Sequence, residues 1–165
     1  MALPPDDARV DPGEIDVVLA ALFAGLALNE QAAARLRAWG FGDLRVSHGF
    51  VVQHLVPGPL TVGELARRME VSQQAASKAA GELEQLGYVE RRPDPCDARA
   101  RRLSLSARGR DAVAAARAAR AATAAALAER LGSERVEMLR AVLLEALEAA
   151  GGMEAVRARR VPPVR

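Results

Sequence analysis

Residues Leu60 to Arg110, LTVGELARRMEVSQQAASKAAGELEQLGYVERRPDPCDARARRLSLSARGR, decide the fold. Two short helical patterns come first, then a basic, proline-interrupted pair of strand patterns, then the start of a long helix. Thr61 with Glu64 fits a capping box, in which the hydroxyl accepts the third backbone N–H and the carboxylate reaches back to the cap residue. Val62, Leu65, Ala66 and Met69 then share one face at helical spacing. Glu70-Val71 reads as a short turn, and Ser72 as the cap of a second helix running from Gln73 to Leu86. Val71, Ala76, Ala79, Ala80, Leu83 and Leu86 make its apolar side, and Gly87 its stop. The opposite face holds Gln73, Gln74, Ser77, Lys78 and Gly81, small and polar with one cation. Such a face suits base edges in a groove about 12 Å wide. Ser72, Gln73, Gln74, Ser77 and Lys78 are therefore the candidate helix contacts to DNA.

The segment after this helix predicts a two-stranded wing. Gly87 to Arg92 reads as one strand and Arg101 to Leu105 as its antiparallel return. Pro93 and Pro95 cannot donate to a ladder and belong at the hairpin edge and tip. Between the strands Asp97 and Arg99 are two apart, so in an extended chain they share a face and the carboxylate can orient the guanidinium. An oriented arginine on a protruding hairpin suits a narrow, electronegative minor groove. Arg91 and Arg101 flank it as candidate phosphate contacts, and Leu60-Thr61 can add a short third strand. The fold class expected is mainly α with a small antiparallel β-wing: a winged helix-turn-helix flanked by N- and C-terminal dimerisation helices.

These residues resemble the MarR family of winged-helix regulators. The matching pieces are the helix pair with its first strand, LTVGELARRMEVSQQAASKAAGELEQLGYVERR, and the run DPCDARARRLSLSARG. In the second, an Asp-x-Arg wing (Asp97, Arg99) precedes a Leu-x-Leu-Ser-x-x-Gly run from Leu103 to Gly109. The likeness covers about 50 residues, and the flanking helices match in layout only. Gly81 departs from it, since glycine inside a helix costs up to about 1 kcal/mol relative to alanine. The resemblance implies a two-fold dimer held by its N- and C-terminal helices. Two such recognition helices read a pseudo-palindromic operator with centres about one DNA turn apart.

Outward from this centre, residues 1–13 are rich in Pro and Asp and read as a flexible N-terminus. Residues 14–55 read as N-terminal dimerisation and linking helices. The first starts at Asp11 or Gly13 and ends near Trp39-Gly40, with Ile15, Val18, Leu19, Leu22, Leu26 and Leu36 in step. The second runs from Val46 or Ser47 to Leu55, with Phe50, Val51 and Leu55 facing a core, and Pro57-Gly58-Pro59 stops it. Residues 60–110 are the DNA-binding region and 111–152 the C-terminal dimerisation helices. Ser106 caps the first of these, an Ala- and Arg-rich helix ending at Leu131. Ser133 caps the last, Glu134 to Ala150, whose apolar side is Met138, Leu139, Val142, Leu143, Leu144 and Leu147. Residues 153–165 read as a basic tail.

Composition narrows the function. Half of the 165 residues are hydrophobic but only 3% are aromatic, which favours closely packed helices over a β-sandwich. Net charge is −3 over residues 1–60, +3 over 61–110 and +2 over 111–165, so the positive charge gathers where phosphates would lie. No run of about 18 uninterrupted apolar residues appears, so no membrane span is expected. The N-terminus lacks a basic segment of the secretory type, and the single cysteine cannot close an internal disulfide, so a cytoplasmic protein is expected.

No phosphate-binding glycine loop, catalytic triad or carboxylate pair stands out, so no catalytic residue is assigned and an enzyme is not expected. His48 and His54 are six apart, which is not the spacing of two ligands on one helix face; no metal site and no cofactor are expected. Cys96 sits at the wing tip beside Asp97 and Arg99, where cations favour a thiolate. The resemblance places redox-sensing cysteines near the N-terminal helix instead. Trp39 and His48 lie where the dimer helices meet the DNA-binding lobe, the region in which the resemblance implies an effector cleft; ordinary core packing is the competing reading for both. The function expected is a dimeric, sequence-specific DNA-binding transcription regulator, a repressor released by a small-molecule effector. The alternative is a winged-helix protein-interaction scaffold that does not bind DNA.

Overall fold

A computed structural model of the chain describes residues 12–94 and 101–157. A 3₁₀ turn at Pro12–Glu14 leads to α1 (Val17–Leu36), and a π turn at Arg37–Phe41 follows it. Then come α2 (Val46–Leu55), β1 (Leu60–Thr61), α3 (Val62–Met69), α4 (Gln73–Gln85), β2 (Val89–Pro93) and β3 (Arg101–Leu105). The chain continues through α5 (Ala107–Leu131), α6 (Ser133–Ala149) and α7 (Met153–Arg157). Pro95, Cys96, Asp97 and Arg99 lie outside the described residues, as do residues 1–11 and 158–165.

Local capping fixes the helix-turn-helix. Thr61 Oγ1 accepts from the Glu64 N–H at 3.2 Å, and Glu64 returns the favour with Oε2 on the Thr61 N–H at 2.8 Å. That backbone N–H, then the Thr61 hydroxyl, hold the Glu64 carboxyl below its ordinary pKa. Glu70 closes α3 in the left-handed region, φ 55°, and Ser72 Oγ caps α4 on the Ala75 N–H at 3.1 Å. Gly87, φ +78°, closes α4 in a Schellman pattern: its N–H reaches Glu84 O and the Tyr88 N–H reaches Leu83 O. This is why the strand starts at Val89 rather than at Gly87; the two intervening residues complete the helix cap.

The sheet is antiparallel in the order β1-β3-β2. Leu60 and Arg91 lie opposite Leu103 on its two sides, and Pro93 ends the edge strand opposite Arg101. The edge position explains how a proline is accommodated. The core of this lobe is Val51, Val52 and Leu55 of α2, Leu65 of α3, Ala76, Ala80 and Leu83 of α4, Tyr88 just before β2, and Leu103 and Leu105 of β3. Val71, expected on that apolar side, is 40% exposed, because the turn carries it past the core edge.

The run from Leu103 to Gly109 has a physical reason at each step. Leu103 and Leu105 are buried; Ser106 Oγ accepts from the Gly109 N–H at 3.0 Å to start α5 and donates to Gly87 O. Gly109 passes so close to the sheet that a Cβ there would sit 2.1 Å from the Tyr88 carbonyl oxygen. Only glycine fits.

The outer helices pack differently. α1 lies along α5, with Ala32, Ala119 and Thr123 buried between them and Arg35 Nη1 donating to Thr123 Oγ1 at 3.2 Å. α1 begins later than its periodicity suggests, because Asp16 Oδ1 accepts the Val18 and Leu19 N–H groups and defines the first turn. The cap of α6 is Gly132, φ 90°, with no side-chain bond, so Ser133 is its first helical residue rather than its cap. Beyond Gly151 the chain forms α7 where a tail is expected. Phe23 and Leu26 on α1, and Met138, Val142 and Leu143 on α6, are 45% to 68% exposed, and α6 buries no residue fully.

One helix bears on the expectation that no segment spans a membrane. Val17–Phe41 is long and apolar enough to cross a membrane by length and composition alone, with a mean hydropathy of 1.6. Counting uninterrupted apolar residues missed it because Asn29, Glu30 and Gln31 break the run without lowering its average enough.

Candidate nucleic-acid interface

The exposed side of α4 carries Gln73, Gln74 and Lys78 in full view, with Ser77 and Gly81 half-buried between them. Nothing lies within 4 Å of a Cβ built on Gly81, so the centre of this face is open. Ser72 uses its hydroxyl on the helix cap, and the Gln73 amide nitrogen lies 3.1 Å from where a Gly63 Cβ would stand, over the first turn of α3. Gln74 and Lys78 are thus the long polar side chains of the face that project without a described intramolecular bond, and both have the reach a groove demands.

The arginines of the wing divide into two groups. Arg91 Nε donates to Glu84 Oε2 on α4 at 2.9 Å, tying the first wing strand to the recognition helix. Arg92 pairs with Glu90 at 2.8 Å, and Arg102 Nε with the buried Asp94 at 2.6 Å. Arg101 is exposed and has no carboxylate partner among the described residues. The wing therefore presents less free positive charge than its sequence count suggests. Arg91, expected on phosphate, braces the wing against α4. Asp94 with Arg102 supplies a carboxylate–guanidinium pair at the hairpin base that the sequence reading did not single out; their eight-residue separation becomes contact only across the register of the hairpin.

Behind this surface a second cluster joins three elements. The Tyr88 hydroxyl donates to Asp43 Oδ1 at 2.5 Å, and Arg108 Nη2 donates to Asp43 Oδ2 at 3.0 Å and to the Tyr88 oxygen at 2.9 Å. The same guanidinium lies 4.6 Å from the Tyr88 ring centroid. The Tyr88 hydrogen bond, ahead of the Arg108 charge, holds the Asp43 carboxyl below its ordinary value. Burial, then Asp43, pushes the Tyr88 hydroxyl up.

Between α1, α2 and α5 lies a cleft of about 460 Å³. Its apolar floor includes Ala32, Leu36, Phe50, Val52 and Ala116, and Arg45, Arg117 and Arg120 stand on its wall. Neither Trp39 nor His48 lines it. Trp39 is 47% exposed in the π turn. His48 is buried; its Nδ1 accepts from the Arg45 N–H at 3.2 Å, which leaves the ring proton on Nε2, 3.3 Å from Glu82 Oε2. Among the described residues no group of His, Cys, Asp and Glu could hold a metal ion.

Residues 44–100, which include α2, β1, α3, α4 and β2, match the family model described as MarR family. The YusO protein of Bacillus subtilis superposes with a TM-score of 0.63 at 29% identity, over 82% of this chain and 93% of that one. Over residues 44–100 the chain matches the MarR family. The small three-stranded sheet is the wing of the winged-helix fold that such proteins share. The fold is shared with RV1404 of Mycobacterium tuberculosis (TM-score 0.71, 23% identity, 84% of this chain and 97% of that one). It is also shared with a MepR variant of S. aureus bound to an oligodeoxyribonucleotide (TM-score 0.64, 19% identity, 83% and 99%). A comparison with curated protein sequences returns no match.

Proposed function

We propose that the chain is a dimeric, sequence-specific DNA-binding regulator that acts in the cytoplasm as a repressor and releases its operator when a small-molecule effector binds. The observation that carries DNA binding is the open polar face of α4, where Gln74 and Lys78 project on either side of Ser77, beside an Arg101 on the wing that has no carboxylate partner among the described residues. In this reading α4 enters the major groove, Ser72 and Gln73 approach the backbone, and Arg99, oriented by Asp97, enters the minor groove. That a structure of a MepR variant includes an oligodeoxyribonucleotide supports it.

The exposed apolar residues of α1 and α6 support the dimer. Phe23 and Leu26 on α1, and Met138, Val142 and Leu143 on α6, are large apolar side chains that face water, and each helix gains by burying them. A two-fold partner covers them and sets two copies of α4 on a pseudo-palindrome. The cleft behind α2 supports an effector, being of the size that encloses small ligands. A ligand there separates the two recognition helices from their DNA spacing.

Titration of DNA from the region upstream of its own gene, at several salt concentrations, tests the reading against a protein-interaction scaffold that does not bind DNA. Arg99→Ala is expected to weaken specific and non-specific binding alike and to lower the salt slope by about one. Gln74→Ala is expected to cost about 1–3 kcal/mol on operator DNA while sparing non-specific binding. Salt-insensitive binding, or none, would leave the scaffold reading in place.

A further inference from the structure

Gln73 and Gln74 are chemically identical neighbours at the start of α4, yet they go to different places. Gln74 is exposed on the open face of the recognition helix. The Gln73 side chain turns back across α3, where its Nε2 lies 3.1 Å from the position of a Cβ built on Gly63. That is inside the ordinary heavy-atom separation of about 3.5–4.0 Å. The amide therefore occupies room that exists because residue 63 has no side chain. Gly63 is the second residue of α3 and has an ordinary helical backbone, so its dihedral angles do not call for glycine. Alanine is the better helix residue at such a position. What glycine provides here is a seat for the neighbouring amide. Arg67 follows four residues later on the same stripe of α3, exposed and in no ion pair among the described residues. The Gln73 amide has no hydrogen-bond partner among the described residues either, so its two N–H donors share that side of α3 with a cation.

We propose that Gly63 is a positioning residue that determines DNA specificity: by leaving room for the Gln73 amide over α3, it assigns Gln73 to the DNA backbone and leaves base reading at this end of α4 to Gln74. The proposal rests on the DNA-binding reading argued above and specifies which of two adjacent glutamines reads sequence. In a helix-turn-helix the first helix crosses the phosphate backbone while the second lies in the groove. Donors on the α3 side meet phosphates, which position the protein, and donors on the α4 face meet base edges, which specify the site. A side chain at residue 63 expels the amide from its seat. Gln73 then swings about its own Cα toward the groove, and a second carboxamide able to pair bidentately with adenine enters where Gln74 alone was reading. An exchange at a residue that touches no base thereby changes the preferred sequence.

The test compares the full chain with Gly63→Ala, Gly63→Leu, Gln73→Ala and the two double variants that add Gln73→Ala. Affinities are measured by fluorescence anisotropy on operator DNA found in the upstream region, on its single-base-pair variants and on unrelated DNA. Gln73→Ala alone is expected to weaken all three alike, by about 2- to 10-fold, whereas Gln74→Ala weakens the operator and spares unrelated DNA. Gly63→Ala presses on the amide and Gly63→Leu fills its seat. The relative affinities at one base pair are expected to change by about fivefold or more for Gly63→Leu, and by less for Gly63→Ala. In chains carrying Gln73→Ala the same exchanges are expected to change them by less than about twofold. Thermal unfolding should show Gly63→Ala as stable as the wild type or more so. A merely structural role for Gly63 shifts Tm, or the affinity for all DNA together, and leaves the ranking of operator variants alone. The proposal is overturned if neither exchange alters the ranking, or if both alter it equally with and without Gln73, since the added side chain is then acting on DNA by itself. If the wild type binds no DNA, the regulator reading fails, and the seat is decided separately by a nuclear Overhauser contact between the Gly63 α-protons and the Gln73 side-chain amide in the DNA-free chain; its absence overturns the seat.

Discussion

Gly81→Ala separates what the recognition helix needs for folding from what it needs for binding. Glycine in a helix interior costs up to about 1 kcal/mol relative to alanine, chiefly through the entropy of the unfolded chain. Its backbone at this position is helical, and no heavy atom lies within 4 Å of the added Cβ, so no steric term offsets the gain. Stability should rise by about 0.5–1 kcal/mol, which for a chain of this size lifts Tm by about 2–4 °C at the upper end. The methyl group, however, stands in the middle of the face bounded by Gln74, Ser77 and Lys78. Where that face packs against DNA, one extra carbon costs about 1–3 kcal/mol, an affinity loss of about 5- to 150-fold. Thermal unfolding by circular dichroism without DNA reads the first effect, and fluorescence anisotropy on operator DNA the second. A lower Tm would refute the helix geometry. An unchanged affinity, to within twofold, would refute the seating of this face against the duplex.

Gly109→Ala should do the opposite, since its Cβ meets the Tyr88 carbonyl at 2.1 Å and the Ser106 N–H bond to that oxygen must give way; a loss of about 2–4 kcal/mol in urea unfolding is expected. Asp43→Asn should lower stability at neutral pH. Its folded pKa lies below the ordinary 3.8, so its contribution is present above that value and drains away as pH falls through the folded pKa. Wild type and variant should therefore converge in strong acid, and screening of a carboxylate 37% exposed keeps the neutral-pH gap under about 1 kcal/mol. Phe23→Glu combined with Leu143→Glu places charge on both exposed apolar helices, and sedimentation at micromolar concentration should then give a monomer where the unaltered chain gives a dimer.

What could be read from the sequence was what neighbouring residues decide together. The Thr61–Glu64 box, the Ser72 and Ser106 caps, the Gly87 stop and the β3 strand each depend on residues within a few positions, and the structure has all of them. The mainly helical winged fold followed from their order. Contacts made by distant parts of the chain were not legible. Asp43 meets Tyr88 and Arg108 across 45 and 65 residues, and no spacing rule points to it. The cleft is assembled from α1, α2 and α5, so Arg45 and Arg117 had no local mark, while Trp39, marked by its aromaticity, stands apart from it. The Arg91–Glu84 pair was hidden for a related reason: charge is visible in a sequence, but whether a carboxylate 7 residues earlier pairs with it is not.

The Asp43–Tyr88–Arg108 cluster fastens the first turn of α5 to the wing base and to the α1–α2 connector, and this gives the longest helix a mechanical role. At 1.5 Å per residue the 25 residues of α5 make a rod about 37 Å long. With one end clamped, the rod is a lever: a tilt of about 5° at the clamp sweeps the far end through about 3 Å, nearly the rise of one base pair. In the proposed dimer the far ends are held together, so the sweep is transferred to the clamped lobes instead. Adjustments in the cleft too small to disturb packing are thereby magnified into a shift of whole base-pair size, and the stiffness of the clamp sets how faithfully the movement is transmitted.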